Sequence, residues 1–325
     1  MLLSKLEEYT TKRDPEKNEY NIIILTKKGY IKRQPLDYFG VQRHGGCGIS
    51  GITLREGDEA KKILVVSDND FILFFTNKGK VFCKNSCEIE QSGRLTKGLH
   101  TSKILELEDD EAVTCVKVFN SDMYDENKFL TIITNRGIVK RTRLLEYCRM
   151  TKIGIVGISL DENDKVCSAC ITSGHDELIV ATKKGYAIRF KESDARELGR
   201  TAHGVTAIEL REGDEVVGME IVEEGKKLLT ISEGGKGRRS EFSDYSIQNR
   251  GGKGLCNYRN SGVIVIKSVT DDDNAILIAS EGKVLCIAIK EINVQFRGGS
   301  GICVMKQVSE SSKIADVVII NKKLH

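Results

Sequence analysis

Apolar and polar positions along this chain alternate in short bursts of strand length, and helical spacing is hard to find outside Leu2–Tyr9. One pattern recurs six times: an apolar run, two or three polar residues, a glycine and a second apolar run. Ile22-Ile23-Ile24-Leu25-Thr26-Lys27-Lys28-Gly29 and Leu130-Thr131-Ile132-Ile133-Thr134-Asn135-Arg136-Gly137 are two of the copies. The anchor glycines Gly29, Gly79, Gly137, Gly185, Gly235 and Gly282 lie 50, 58, 48, 50 and 47 residues apart. Glycine at such a place supplies the positive φ of a tight hairpin.

A second glycine keeps the register. Gly48, Gly98, Gly154, Gly204, Gly254 and Gly301 follow their anchors by 19, 19, 17, 19, 19 and 19 residues. Four positions before it stand His44, Arg94, Arg200, Arg250 and Arg297, and the shorter third repeat offers Arg149 nearby. A further β-run and an acidic turn follow, such as Glu56-Gly57-Asp58-Glu59. Each repeat therefore reads as about four short strands. Six such repeats of about 50 residues predict an all-β propeller-type ring, because one small sheet needs neighbours to cover its faces. The expected boundaries are a charged linker over 1–20, repeats at about 21–66, 67–124, 125–172, 173–222, 223–270 and 271–320, and a tail over 321–325.

Composition narrows the function. No apolar run approaches the ~18 residues of a membrane span, and the charged start is no signal peptide. Ten scattered cysteines suit a reducing cytosol. Cys167 and Cys170 form the one C-x-x-C, but in a predicted strand they face opposite sides, so buried structural thiols are expected in place of a metal or redox site. No nucleotide-binding P-loop, metal cluster or catalytic set stands out. The chain lacks Trp and is 6% aromatic, which disfavours a base-stacking platform for single strands.

Three loops are rich in glycine: Gln42-Arg43-His44-Gly45-Gly46-Cys47-Gly48, Gln248-Asn249-Arg250-Gly251-Gly252-Lys253-Gly254 and Gln295-Phe296-Arg297-Gly298-Gly299-Ser300-Gly301. Such a run can cradle phosphate with backbone N–H groups, or it can be a crossing between blades where only glycine fits. The residues leave the two readings level. The first loop resembles the Q-[RK]-R-G-G-K-G box found in the C-terminal domain of the DNA gyrase A protein, and Gly29-Tyr30-Ile31-Lys32-Arg33, Phe74–Val81, Arg189–Ser193 and Gly235–Arg239 resemble that family too. The resemblance runs from about residue 20 to 320. It implies a six-bladed β-pinwheel that exchanges strands between blades, whose rim wraps duplex DNA with a defined hand so that the complete enzyme introduces negative supercoils. It implies a non-catalytic, bacterial and cytoplasmic nucleoid-associated module with no cofactor of its own; ATP and Mg2+ belong to other parts of the enzyme. The implied partners are duplex DNA, the rest of the gyrase A protein and the gyrase B protein in an A2B2 complex, with no membrane and a monomeric isolated domain. His44 and Cys47 depart from the box, removing fixed charge, while the fifth repeat departs only at Asn249. The corresponding protein of topoisomerase IV is the sister family, and a propeller scaffold for proteins is the reading of another class.

Charge sharpens where the DNA should lie. Lys+Arg number 50 against 47 Asp+Glu, a net +3, so binding cannot rest on bulk charge. Cations cluster after the anchor glycine: Lys32-Arg33, Lys140-Arg141, Arg238-Arg239 and Arg189, with Lys80, Lys236 and Lys283 earlier in the strand. The expectation is a basic rim of Lys32, Arg33, Lys80, Arg94, Lys97, Lys140, Arg141, Arg189, Arg200, Lys236, Arg238, Arg239 and Lys283, with an acidic zone apart from it. The box-like loops add Gln42, Arg43, His44, Gly45, Gly46, Cys47, Gly48, Gln248, Arg250, Gly251, Gly252, Lys253, Gly254 and Arg297. Distributed phosphate contacts of this kind give salt-sensitive binding with little base readout.

Overall fold

The computed structural model describes residues 19–119, 125, 127–147, 151–260, 262–307, 309 and 311–321. The expected linker to residue 18 and its Leu2–Tyr9 segment fall outside these residues, as does Arg149. Among the described residues the chain forms strands and short 3-10 turns, with no α-helix.

Six small sheets, antiparallel except for one parallel pairing in the last, stand around a ring. Blade 1 holds Ala60–Ser67, Tyr20–Thr26 and Tyr30–Pro35 in spatial order, and blade 4 holds Val216–Ile221, Glu177–Thr182 and Tyr186–Lys191. The fourth strand of each blade comes from the next repeat. Leu99–His100 of repeat two pairs with Tyr30–Pro35 of blade 1, and Leu255–Cys256 of repeat five pairs with Tyr186–Lys191 of blade 4. Blade 6 closes the ring by taking Val41–Gln42 and Ile49–Ser50 of the first repeat against Lys283–Ala288. The pinwheel fold expected from the sequence is thus the one formed.

The apolar runs become middle strands that are buried over their whole length, as in Phe71–Thr76 and Asn274–Ala279. Side chains alternate across a strand, so one strand serves two cores. Ile72 and Phe74 pack toward blade 1 with Ile23 and Leu25, whereas Leu73 and Phe75 pack toward blade 3 with Leu130 and Ile132. Each of the six seams between blades has its own apolar cluster of this kind. The innermost strands surround an axial channel of about 310 Å³, where Lys62 pairs with Asp316 at 3.2 Å and Lys267 with Glu220 at 3.1 Å. Cys170 is buried in one of these strands and Cys167 is half-buried; burial pushes their thiols up to about 11 and about 12.

The anchor glycines do more than turn a hairpin. Gly235 has φ +73, and a Cβ there would collide with the Met305 carbonyl oxygen of the next repeat. Its neighbour Gly234 has open space around it. The acidic turns pack onto these hairpins. Asp58, Asp164 and Asp214 accept the backbone N–H groups of Lys28, Arg136 and Lys184, at 2.9, 3.3 and 2.9 Å. Lys27 pairs with Glu59 and Lys183 with Glu215. The expected separate acidic zone is therefore corrected: these turns sit on basic hairpins and neutralise them.

A larger correction concerns the cations after the anchor. Lys32, Lys140, Arg238 and Arg239 are buried, at 1%, 0%, 0% and 5% exposure, and do not lie on an exposed rim. They occupy the third strand of a blade, which neighbouring blades and the loop of the next repeat cover. Lys32 Nζ donates to the carbonyls of Gly93 and Arg94, at 3.0 and 2.7 Å. Lys140 Nζ donates to the carbonyls of Gly157, Gly199 and Arg200. Arg238 donates to both oxygens of Asn257, and Arg239 to the Ile292 carbonyl and Asp271. Arg33, Arg141 and Arg189 are half-buried and engaged as well: Arg33 by Asp68 at 2.6 Å, Arg141 by the Gly174 carbonyl at 3.0 Å, and Arg189 by Glu177 at 2.7 Å and the Phe242 carbonyl at 2.8 Å. Burial lowers the Lys32 and Lys140 ammoniums to about 8 and about 7.

Gly235→Ala should lower the unfolding free energy in urea by about 2–4 kcal/mol, while Gly234→Ala stays within about 0.5 kcal/mol of the parent. Lys140→Glu, by setting a carboxylate against three carbonyls, should cost about 3–5 kcal/mol. The unfolded Lys140 titrates near ~10.4, so between pH 7 and 8.5 the unfolded chain holds the proton that the folded chain has begun to release. Stability linked to this group therefore rises with pH over that window and is lost as pH falls through about 7. Urea titrations at pH 7.0, 7.7 and 8.5 should show a shallower rise for Lys140→Met than for the parent.

Candidate nucleic-acid interface

The strand exchange leaves one loop per repeat on the outer edge of the preceding blade. Each of these loops makes a two-residue turn at its outermost point: His44-Gly45, Arg94-Leu95, Lys152-Ile153, Arg200-Thr201, Arg250-Gly251 and Arg297-Gly298. The first residue of the turn is a cation in five loops and histidine in the sixth. Ring geometry gives these six positions a common radius. In the third repeat the turn residue is Lys152, not the Arg149 offered by spacing; the loop is two residues shorter, and the turn moves toward its glycine.

The loops fall into two kinds. In repeats one, five and six the glycine pair latches one blade to another. Gly45, Gly251 and Gly298, all at positive φ, donate their N–H groups to the carbonyls of Val304, Ala207 and Asn257 in the preceding repeat, at 2.8, 2.6 and 2.7 Å. The second glycines Gly46 and Gly252 lie against Leu285 and Ile188. The turn cation joins the latch: Arg250 donates to the Thr206 carbonyl at 3.0 Å and Arg297 to the Cys256 carbonyl at 3.4 Å. His44 takes the same post, with Nδ1 3.3 Å from the Cys303 carbonyl and its N–H on Glu291. Of the two readings the glycine runs left open, the crossing is the one built, because the first glycine N–H of each pair is already engaged by a carbonyl. Gln42 and Gln248 are half-buried at the base of these turns, and Gly48 and Gly254 directly precede the exchanged strands.

In repeats two and three the turn cations are free. Arg94, Lys97 and Lys152 are exposed and make no side-chain hydrogen bond or ion pair among the described residues; the exposed Arg43 of the first loop is equally free. Arg200 lies 4.0 Å from Glu146 and exposed Lys253 3.8 Å from Glu209, both weak surface pairs. Exposed Lys236 and half-buried Lys283 are unpaired among the described residues, whereas Lys80 is engaged by Glu108 and by Glu111 at 3.7 Å. Cys47 is exposed beside the ring-closing latch. The structure thus assembles a rim from Arg43, Arg94, Lys97, Lys152, Arg200 and Lys253, sets the half-buried, latched Arg250 and Arg297 beside it, and withdraws the third-strand cations from it. Sequence reasoning missed Lys152. Its signal was present: the residue sits two before Gly154, in the shortened loop.

Comparisons with known proteins agree with this architecture. Residues 20–67, 70–120, 128–169, 176–223, 226–276 and 273–321 each match the family model described as the DNA gyrase C-terminal domain, β-propeller. The DNA gyrase A protein of Staphylococcus aureus (strain NCTC 8325 / PS 47) is 35% identical over 281 residues, covering 85% of this chain and 32% of that protein. The chain spans about a third of the length of the curated relatives it matches. A solved DNA gyrase A C-terminal domain superposes with a TM-score of 0.84 at 29% identity, covering 93% of this chain and 100% of that one. The C-terminal domain of a DNA topoisomerase IV shares the fold, with a TM-score of 0.68 at 22% identity over 94% of this chain and 95% of that one. With six matched segments in register over most of its length, this chain belongs to the family of DNA gyrase C-terminal β-propeller domains.

Proposed function

We propose that the chain binds duplex DNA along its outer rim and wraps it with a fixed hand, as the accessory module that lets a gyrase-type topoisomerase introduce negative supercoils. The observation that carries this reading is the recurrence of a cation or histidine at the outermost turn of every repeat. Phosphates follow one another along a bent duplex, and turns at one radius meet them in sequence. Bending 20–30 bp by 40–90° costs on the order of 1–6 kcal/mol. Many phosphate contacts spread over an arc offset that cost without reading bases. In this reading the module itself performs no chemistry and holds no cofactor. Strand cleavage, ATP and Mg2+ belong to the remainder of the enzyme, which joins the gyrase A and gyrase B proteins as A2B2 in the bacterial cytoplasm. The family membership supports an accessory role.

Two measurements test it. In gel shifts on a duplex of about 150 bp at rising salt, replacing Arg43, Arg94, Lys97 and Lys152 together by Gln should flatten the slope of log K against log salt by about 3–4, since each lost phosphate contact removes about 0.9. An unchanged slope would move the DNA path off these turns. Ligation of nicked circles saturated with the chain at low salt should shift the linking number; circles identical to the protein-free control would sink chiral wrapping while leaving simple binding intact.

A further inference from the structure

The rim carries a feature that phosphate binding leaves unused. Among the described residues, the ten large apolar side chains left exposed all lie between the end of a third strand and the end of the exchanged strand, which is the outer edge of the ring. The three most exposed are Phe296 at 67%, Leu95 at 63% and Ile153 at 61%. Leu95 and Ile153 are the second residues of the outermost turns in neighbouring repeats, and Phe296 directly precedes the turn of repeat six.

These side chains are not by-products of a glycine conformation. Where the turn holds Gly45, Gly251 or Gly298, φ lies near +80. Leu95 and Ile153 avoid positive φ, so the turns of repeats two and three are built differently and set a large apolar group at the tip. Each tip has a cation beside it: Arg94 and Lys97 flank Leu95, Lys152 precedes Ile153, and the Arg297 guanidinium stands 5.4 Å from the Phe296 ring centroid. A protein partner's interface core is depleted of charge, whereas here cations and apolar tips alternate, with Arg94, Lys97 and Lys152 free among the described residues and Arg297 held by the Cys256 carbonyl. That alternation fits a duplex whose phosphates are gripped on either side of an opened base step.

Resting on the DNA-binding reading above, we infer that Leu95, Ile153 and Phe296 are apolar wedges that enter base steps of the bound duplex and set where it bends. Partial unstacking by a side chain localises a kink, and it favours flexible pyrimidine–purine steps. The cations supply the grip and the wedges supply the bend, so the two can be separated by mutation.

The test compares the 325-residue chain with Leu95→Ser/Ile153→Ser and with Phe296→Ser on an end-labelled duplex of about 150 bp, one persistence length. Permanganate oxidation reads unstacked thymines, energy transfer between the ends reads compaction, and a salt titration reads phosphate contacts. The parent should make a set of thymines reactive. The variants should lose that reactivity and part of the compaction, with the salt slope unchanged. Retained reactivity and compaction in both variants would overturn the wedge assignment. A parent that binds and compacts the duplex without exposing any thymine would overturn it equally. A parent that does not bind duplex at all would instead remove the DNA-binding reading beneath it, an outcome the salt titration distinguishes. Altered salt slopes in the serine variants would reassign the tips to phosphate positioning and overturn the proposal.

Discussion

The whole architecture depends on one constraint: no repeat can complete its own sheet. The outermost strand of every blade is two residues taken from the next repeat, and the first repeat gives its pair to the last. This exchange fixes where the intervening loop must run. It has to leave one blade, cross the outer edge of its neighbour and return, which brings every such loop to the rim. The same crossing places the turn residues outermost and forces close backbone approaches, such as Gly235 against Met305, that glycine alone tolerates.

Polar groups inside the seams support the rim from beneath. A loop that crosses a blade edge presents inward-facing carbonyls that water cannot reach, and buried carbonyls need donors. Lys32 and Lys140 supply them to the loops of repeats two and four. Ile188 and Leu285 hold the equivalent place in repeats four and six, and there the following loop carries a glycine pair packed on the aliphatic side chain. At these four places a lysine goes with an inward-turned carbonyl cluster and an aliphatic residue with paired glycines whose first N–H reaches the preceding repeat, whereas Arg238, at the equivalent place in repeat five, is followed by a loop that also carries such a pair, Gly298-Gly299.

Much of the fold was legible from the chain alone. Period, glycine register and short apolar runs specified six blades, because each is a local consequence of strand and hairpin physics. The candidate rim was less legible. Lys32-Arg33, Lys140-Arg141 and Arg238-Arg239 look like surface charge in sequence, since buried Lys and Arg are rare. Lys32 and Lys140 are covered by a crossing loop that arrives from some sixty residues away, and Arg33, Arg141 and Arg238 are engaged by Asp68, Gly174 and Asn257. The paired glycines likewise fitted a phosphate cradle or a crossing until the carbonyls of Val304, Ala207 and Asn257 were seen opposite their N–H groups. Arg94 and Lys97 stand at or beside the outer turn of repeat two, as their spacing suggested, whereas Lys152 was hidden by a two-residue deletion that shifts the turn.

The exchanged strands also impose an order in time. Chains emerge from the ribosome N-terminus first, yet each blade here waits for residues that follow it. Blade 1 becomes complete only once Leu99 and His100 exist. The vacancy moves forward from blade to blade until Lys283–Ala288 appears, and it is filled only by reaching back to Ile49–Ser50, more than two hundred residues earlier. A nascent chain therefore carries an unfinished edge until the last blade is synthesised. Closing so long a loop is slow compared with forming local hairpins, which makes the synthesis of the sixth blade the moment from which this ring can become a single body.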